Sequence, residues 1–68
     1  MNRENLRGKW RKLEGRVRQR WGRFTDADLA SIQGDPEALT AKIEQYYGRT
    51  HEQAERDVEE WYSLEAAP

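Results

Sequence analysis

Few residues of this 68-residue chain have the types and spacing that chemistry would require. A nucleophilic mechanism needs a hydroxyl or thiol beside a base and an orienting group. Ser31 and Ser63 lie in no such pattern, and the chain has no cysteine. The single histidine, His51, stands near Glu52 and Glu55, where a solvated side chain is the usual outcome. We therefore predict that the protein is not an enzyme and has no catalytic residue.

Metal and cofactor patterns are equally weak. The acidic run Asp57, Glu59 and Glu60 lacks the Asp/Asn-Gly loop of a calcium site, so it is typical of a solvated helix face. A thiolate zinc site would need cysteine. The glycines that recur every seven residues from Gly8 to Gly22 lie in a helical pattern and form no phosphate-binding loop. We expect no metal site and no cofactor.

The strongest functional signal is the segregation of charge. A net charge of -1 conceals a first third, residues 1–24, with nine bases and two acids, and a remainder with three bases and eleven acids. Such asymmetry is typical of a partner-binding segment. The candidate residues for binding an anion or a nucleic acid are Arg7, Lys9, Arg11, Lys12, Arg16, Arg18, Arg20 and Arg23.

Three interpretations of this basic segment stay open at the level of sequence. Its lysine and arginine side chains could contact nucleic-acid phosphates, and its tryptophans could stack on the nucleobases of a single strand. The same amphipathic, cationic pattern also suits an anionic membrane surface. Alternatively, the segment lies across the acidic remainder and is neutralised internally. Trp10 and Trp21 fall on the stripe that a core requires, which favours burial over stacking. We expect a monomer.

Helices must position these residues. From Leu6 to Phe24 the large apolar residues are three or four apart, which predicts one continuous helix with bases on both flanks. Gly22 is placed to end that helix as a left-handed cap. The glycine face opposite the apolar stripe has two interpretations: it weakens a helix that depends on docking, or it admits a second surface at close range.

Cap signals predict three further helices. Thr25 with Asp28 forms a capping box and precedes a short helix that stops at Gly34. Asp35 before a proline opens the next helix, and Gly48 ends it. A last helix begins at Thr50, with Gln53 as its capping partner. The predicted core is small, enough for about 3–5 kcal/mol of stability. Its members are Leu6, Trp10, Leu13, Val17, Trp21, Phe24, Leu29, Ile32, Leu39, Ile43, Tyr47, Val58 and Trp61.

An ordered set of residues resembles the CsbD-like family of small bacterial general stress response proteins. The set consists of Gly8-Lys9-Trp10, Gly15, Val17, the run Trp21–Leu29, Ile32, Gly34, Leu39, Lys42-Ile43, Tyr47-Gly48, Gln53-Ala54-Glu55, Val58 and Trp61. It spans residues 3–62. The chain departs from the family in being rich in arginine where lysine is frequent, and in having Ala41 where glycine is common.

The resemblance implies a cytoplasmic stress-response protein with no established molecular activity, which acts by surface binding or protection. It also implies an all-α fold of four short helices in two roughly orthogonal hairpins, akin to SAM and helix-hairpin-helix domains. We expect one domain over residues 1–64 and a frayed tail over 65–68. No run of residues approaches the roughly 18 apolar positions of a membrane span.

Overall fold

The computed structural model describes the backbone of residues 3–65 and the side chains of residues 6–65, and its regular structure in that range is entirely helical. The helices are α1 (Arg3–Gly8), α2 (Trp10–Arg20), α3 (Asp26–Ile32), α4 (Pro36–Tyr47) and α5 (His51–Glu65). Helix α4 packs against α3 and, most extensively, against α5, while α1 contacts α2. The predicted all-α class is confirmed. Helix α5 runs through Glu65, where the tail was expected to begin, and residues 66–68 lie outside the described range.

The prediction of one continuous first helix is wrong, because the chain breaks at Lys9 and forms two helices. Lys9 has φ -104° and ψ 7°, and its side chain makes no cap hydrogen bond. The preceding residue, Gly8, is a poor helix former, which favours a break at this point. A Cβ added to Gly34 would lie 2.6 Å from the Cα of Arg7, so the backbone of α1 rests directly on the α3–α4 turn. The described residues therefore contain five helices rather than four.

Gly22 does not end α2 as a left-handed cap, contrary to the prediction. The helix ends at Arg20, and Trp21 follows outside the helical conformation, with φ -121° and ψ 83°. The backbone N–H of Trp21 still donates to the carbonyl of Val17 at 2.8 Å, and the N–H of Phe24 donates to the carbonyl of Trp21 at 3.1 Å. Because this turn is closed by ordinary backbone hydrogen bonds, it needs no residue with positive φ.

The last three helices begin at the caps that the sequence predicts. The side chains of Thr25, Asp35 and Thr50 accept hydrogen bonds from backbone N–H groups two or three positions ahead, at 3.1, 3.0 and 3.1 Å respectively. In return, the side chains of Asp28 and Gln53 accept from the backbone N–H groups of Thr25 and Thr50, at 2.9 and 3.1 Å. Both capping boxes are therefore complete.

The helix ends agree less closely with the prediction. Gly48 caps α4 in the left-handed conformation, with φ 63°, as its position indicates. At the end of α3 the left-handed cap is Gln33, with φ 45°, and Gly34 follows with φ 80°. Gly34 must therefore satisfy two constraints, a positive φ and the close approach of α1, and glycine meets both.

One cluster of apolar side chains joins all five helices. Its buried members are Leu6, Leu13, Val17, Trp21, Phe24, Leu29, Ile32, Leu39, Ile43, Ala54, Val58 and Trp61. Two residues that were predicted as core differ: Tyr47 is 36% exposed, and Trp10 is only partly buried. Tyr46 packs against the core instead, because the helical period of α4 turns it toward Phe24, with ring centroids 5.6 Å apart.

Candidate anion-binding surface

All eight predicted anion-binding side chains are exposed. Five of them lie on α2, and the others lie at the end of α1, at the break and after α2. We call this set the basic surface: Arg7, Lys9, Arg11, Lys12, Arg16, Arg18, Arg20 and Arg23. Because α2 buries Leu13 and Val17, its charged positions are held on the solvent side.

Part of the basic surface has partners elsewhere in the fold. The guanidinium of Arg16 donates to Glu65 at 2.9 Å, and that of Arg18 pairs with Asp26. Arg23 donates from its side chain to the carbonyl of Tyr46 at 2.8 Å, so it satisfies a carbonyl at the end of α4. This contact makes Arg23 a structural residue as well as an exposed base.

The other part of the basic surface carries no such pairing. Among the described side chains, residues 6–65, no ion pair joins Arg7, Lys9, Arg11 or Lys12 to an acidic group. Arg20 lies over the ring of Trp21, with its Cζ atom 5.1 Å from the ring centroid. Internal neutralisation is therefore partial: in the described part of the chain it reaches the middle of α2 and leaves the α1–α2 bend exposed.

The tryptophans of the basic segment belong to the core. Trp21 is 2% exposed, and its ring stands edge-on to that of Trp61 at 5.5 Å and stacks near that of Phe24 at 6.2 Å. Trp10 is half-buried against the same cluster. Stacking on an unpaired base needs an accessible aromatic face, which Trp21 lacks in the folded chain.

The three regularly spaced glycines lie in different contexts because of the break. Gly8 ends α1, Gly15 is inside α2, and Gly22 lies in the turn after α2. A Cβ added to any of them would meet no atom within 4 Å, so all three border open space. The continuous glycine face expected from one straight helix is therefore interrupted, and Gly15 is its helical member.

His51 is bridged by carboxylates rather than simply solvated. Its Nδ1 lies 3.1 Å from the carboxylate of Glu44, and its Nε2 lies 2.7 Å from that of Glu55. The hydrogen bond with Glu44 and the charge of Glu55 raise the pKa of His51 above 6.5. The side chain remains 65% exposed, so this cluster ties the α4–α5 turn together at the surface.

A buried polar cluster around Asp28 was missed at the level of sequence. Besides its cap contact, the Asp28 carboxylate accepts hydrogen bonds from the hydroxyl of Tyr46 at 2.7 Å and the ammonium of Lys42 at 3.2 Å. Hydrogen bonds from the backbone N–H of Thr25 and, second, from the Tyr46 hydroxyl hold the pKa of Asp28 well below its usual range. The hydrogen bond between Tyr46 and Asp28 also raises the pKa of Tyr46. No local signal links positions 28, 42 and 46, because the contact depends on the packing of α3 on α4.

The acidic side chains of α5 form no compact metal site. Asp57 accepts two hydrogen bonds from Arg49, at 3.0 and 3.2 Å, while Glu59 and Glu60 are exposed. Among residues 3–65, no group of three or more potential ligands is close enough to hold a metal ion. In the same range, no helix has both the length and the apolar character that crossing a membrane requires.

Comparison with known proteins identifies relatives over nearly the whole chain. The family model described as CsbD-like matches residues 4–56. The chain is 38% identical over 61 residues to the UPF0337 protein YjbJ of Escherichia coli K12, covering 90% of this chain and 88% of that protein. It is 40% identical over 62 residues to a UPF0337 protein of Bordetella pertussis, covering 91% of this chain and 94% of that protein. No solved structure matches the chain.

Proposed function

Since the chain belongs to the CsbD-like family of small stress-response proteins, we propose that it acts without catalysis by binding nucleic acid through its basic surface. The proposal rests on the exposed basic side chains at the α1–α2 bend, which have no ion-pair partner in the described part of the chain. They are Arg7, Lys9, Arg11 and Lys12, and no ion pair with another side chain of residues 6–65 engages them. Phosphate contacts of this kind release counterions and supply most of non-specific binding.

The burial of the aromatic rings supports a phosphate-directed mode of binding. Trp21 is enclosed in the core and offers no face for stacking, and Trp10 is half-buried against the same core. Base-edge readout would require an element inserted into a groove, whereas the basic surface combines long, flexible side chains on a short helix. We therefore propose binding that depends on charge and is indifferent to sequence.

The test is a salt titration of binding to a fluorescein-labelled 20-base-pair DNA duplex of arbitrary sequence, followed by fluorescence anisotropy. If four phosphates are neutralised, the logarithm of the binding constant should fall with the logarithm of salt concentration with a slope of about -3.6. Arg11→Gln and Lys12→Gln should each weaken binding and reduce the magnitude of this slope by about 1. Absence of binding at about 50 mM salt would refute the proposal.

Arg56→Gln is the matched control for these variants. Arg56 is exposed on α5, where it pairs with Glu52 at 3.4 Å, and it lies outside the basic surface. Its replacement changes the net charge by the same amount, so a purely global charge effect would weaken binding equally. Equal losses in Arg56→Gln and Arg11→Gln would contradict a localised site.

Vesicles of anionic phosphatidylglycerol provide the other arm of the experiment. The membrane interpretation requires an apolar helix face to enter the interface, but α2 uses that face for Leu13, Val17 and the neighbouring Trp21. We expect no blue shift of tryptophan fluorescence on these vesicles. A blue shift without binding to the duplex would replace nucleic acid with a membrane surface as the partner.

We also propose that residues 1–64 form a single domain whose helices pair as two roughly orthogonal hairpins, as the family resemblance implies. The packing of α4 on α3 and on α5 supports close contacts between consecutive helices. A cytoplasmic location accompanies this proposal, because nucleic acid is the expected partner. Fractionation of cells that express the chain would test the location.

A further inference from the structure

Helices α2 and α5 lie beside each other and present stripes of opposite charge. The side chains of Arg16 and Glu65 connect the two stripes at 2.9 Å. On one side of this ion pair lies a hollow of about 380 Å³, and on the other a hollow of about 320 Å³. The basic stripe consists of Lys9, Lys12, Arg16 and Arg20, the acidic stripe of Asp57, Glu60 and Glu65, and together with Trp61 and Leu64 they form what we call the α2/α5 face.

An apolar side chain projects from this face. Leu64 is 81% exposed, whereas every other leucine with a described side chain is buried. It borders both the 380 Å³ hollow and a neighbouring hollow of about 520 Å³ that Glu59 and Glu60 also line. An exposed leucine between charged stripes resembles the apolar centre and polar rim of a protein interface.

The wall of the 380 Å³ hollow also contains a polar atom that has no hydrogen-bond partner in the described part of the chain. Trp61 is 4% exposed, and its Nε1 donates no hydrogen bond within the described part of the chain. Buried donors are normally satisfied, and an unpaired one is costly. The indole lines the hollow formed with Arg20 and Leu64. The Nε1 atom itself is covered by the fold, so the indole contributes an apolar wall to this hollow.

We propose that a second copy of this chain docks on the α2/α5 face and forms a two-fold dimer. In a two-fold interface the same patch of each subunit meets its counterpart, so residue i contacts j and residue j contacts i. A surface with adjacent basic and acidic stripes is self-complementary under this operation. The basic stripe of one copy faces the acidic stripe of the other, and the two Leu64 side chains meet near the axis.

This proposal goes beyond nucleic-acid binding and departs from the monomer that the sequence favours. The bases that it uses most, Lys12 and Arg20, lie on the flank of α2 that adjoins α5. Arg7 and Arg11 lie outside the α2/α5 face and remain available to a polyanion in the dimer, whereas Lys9 and Lys12 belong to both surfaces. The experiments below contain no nucleic acid, so the failure of either proposal leaves the other standing.

The first experiment is sedimentation equilibrium of the wild-type chain at about 50 mM and about 500 mM salt, because exposed charge pairs are screened at the higher concentration. At low salt the weight-average mass should approach twice the chain mass of 8.1 kDa as protein concentration rises, and at high salt it should fall toward 8.1 kDa. A single species of 8.1 kDa at low salt up to millimolar protein would overturn the proposal.

Charge exchange then tests the two-fold geometry. The variant Arg20→Glu and the variant Glu60→Lys should each be monomeric, since like charges then face each other in both halves of the interface. An equimolar mixture should form a heterodimer, in which both halves are again complementary. The Arg16–Glu65 ion pair is left intact, and circular dichroism verifies folding. Two folded variants that fail to associate when mixed would rule out the proposed pairing.

Leu64→Glu tests the apolar centre, with Ala41→Glu as its matched control. Ala41 is exposed on α4 and takes no part in the α2/α5 face, so its variant adds the same charge elsewhere. Leu64→Glu should weaken dimerisation at least tenfold, while Ala41→Glu should change it by less than about threefold, because a charge outside the contact acts only through screened long-range repulsion. Equal effects of the two variants would contradict the placement of the interface.

Discussion

Helices α2 and α5 each bury one apolar face, but they are stabilised differently at their ends. Helix α5 begins with reciprocal hydrogen bonds between Thr50 and Gln53, whereas α2 begins at Lys9 without a side-chain cap. Helix α2 also contains Gly15, a poor helix former, and concentrates like charges along its length. The capped helix gains from local interactions, and the uncapped one depends on burying Leu13, Val17 and the adjacent tryptophan.

This contrast has a functional consequence. The segment that presents the basic surface is the one with the least local stabilisation, and regions of low local stability open first. Docking of Trp21 and Leu6 in the core is therefore what holds the bases in place. The four substitutions below test this contrast, beginning with the change that should disrupt the docking most.

Trp21→Ala should have the largest effect. The indole is 2% exposed and contacts the rings of Phe24 and Trp61. Its removal should lower the free energy of unfolding by about 3–5 kcal/mol, which is comparable to the total expected stability of so small a chain. Urea denaturation followed by circular dichroism measures the change. The half-buried Trp10 should tolerate alanine better, and equal losses at both positions would contradict the central role of Trp21.

Gly34→Ala should be next in size. Its φ of 80° strains any side chain, and the added Cβ would lie 2.6 Å from the Cα of Arg7. Backbone strain alone should cost about 1–3 kcal/mol, and displacement of α1 adds to it. Urea denaturation gives the loss, and amide exchange should show that α1 opens more than α5. A variant as stable as the wild type would mean that α1 does not rest on this turn.

Asp28→Asn tests the capping box of α3 through the pH dependence of the stability of the fold. Because the folded chain holds the pKa of Asp28 below 3.8, the carboxylate stabilises the fold above that pH, and this stabilisation is lost as pH falls below it. The variant should therefore have a lower urea midpoint at pH 7 and lose less stability than the wild type on acidification. Asp26→Asn, which removes an exposed partner of Arg18, should change the midpoint much less. Parallel acid profiles of wild type and Asp28→Asn would contradict a stabilising role for the Asp28 carboxylate.

Gly15→Ala should give the smallest change and the opposite sign. The added Cβ meets no atom within 4 Å and lies inside α2, so the better helix former should stabilise the chain by about 1 kcal/mol. Native-state amide exchange should show slower opening of α2 and little change in α4 or α5. If exchange in wild-type α2 is already as slow as in α5, the contrast between the two helices is wrong.

Local signals explain which features could be predicted. Both capping boxes and the start of α4 follow from residues no more than three positions apart; the boxes were predicted with their partners, and α4 with its cap, Asp35. The break at Lys9 and the end of α2 at Arg20 were missed because the apolar period alone favours a continuous helix. Both deviations accompany contacts between distant segments, such as the approach of Arg7 to Gly34.

The same division applies to the basic surface. Its residues could be named from charge counts, but their pairing depends on which acids the fold brings near. Arg16 meets Glu65 across 49 positions, and Arg23 reaches the carbonyl of Tyr46 across 23. No count of charges distinguishes these engaged basic side chains from Arg11 or Lys12, which have no ion-pair partner among the side chains of residues 6–65.

By itself, the sequence determined the helical class, the caps, most of the core and the family, because these depend on short-range hydrogen bonds and on the helical period. Tertiary structure alone decided which basic side chains form ion pairs and that Asp28 accepts a hydrogen bond from Tyr46. It also decided that α2 and α5 place a basic and an acidic stripe side by side on one face. Those outcomes depend on distances between segments far apart in the chain. Such distances are set by the packing of the whole core around Trp21 and Trp61.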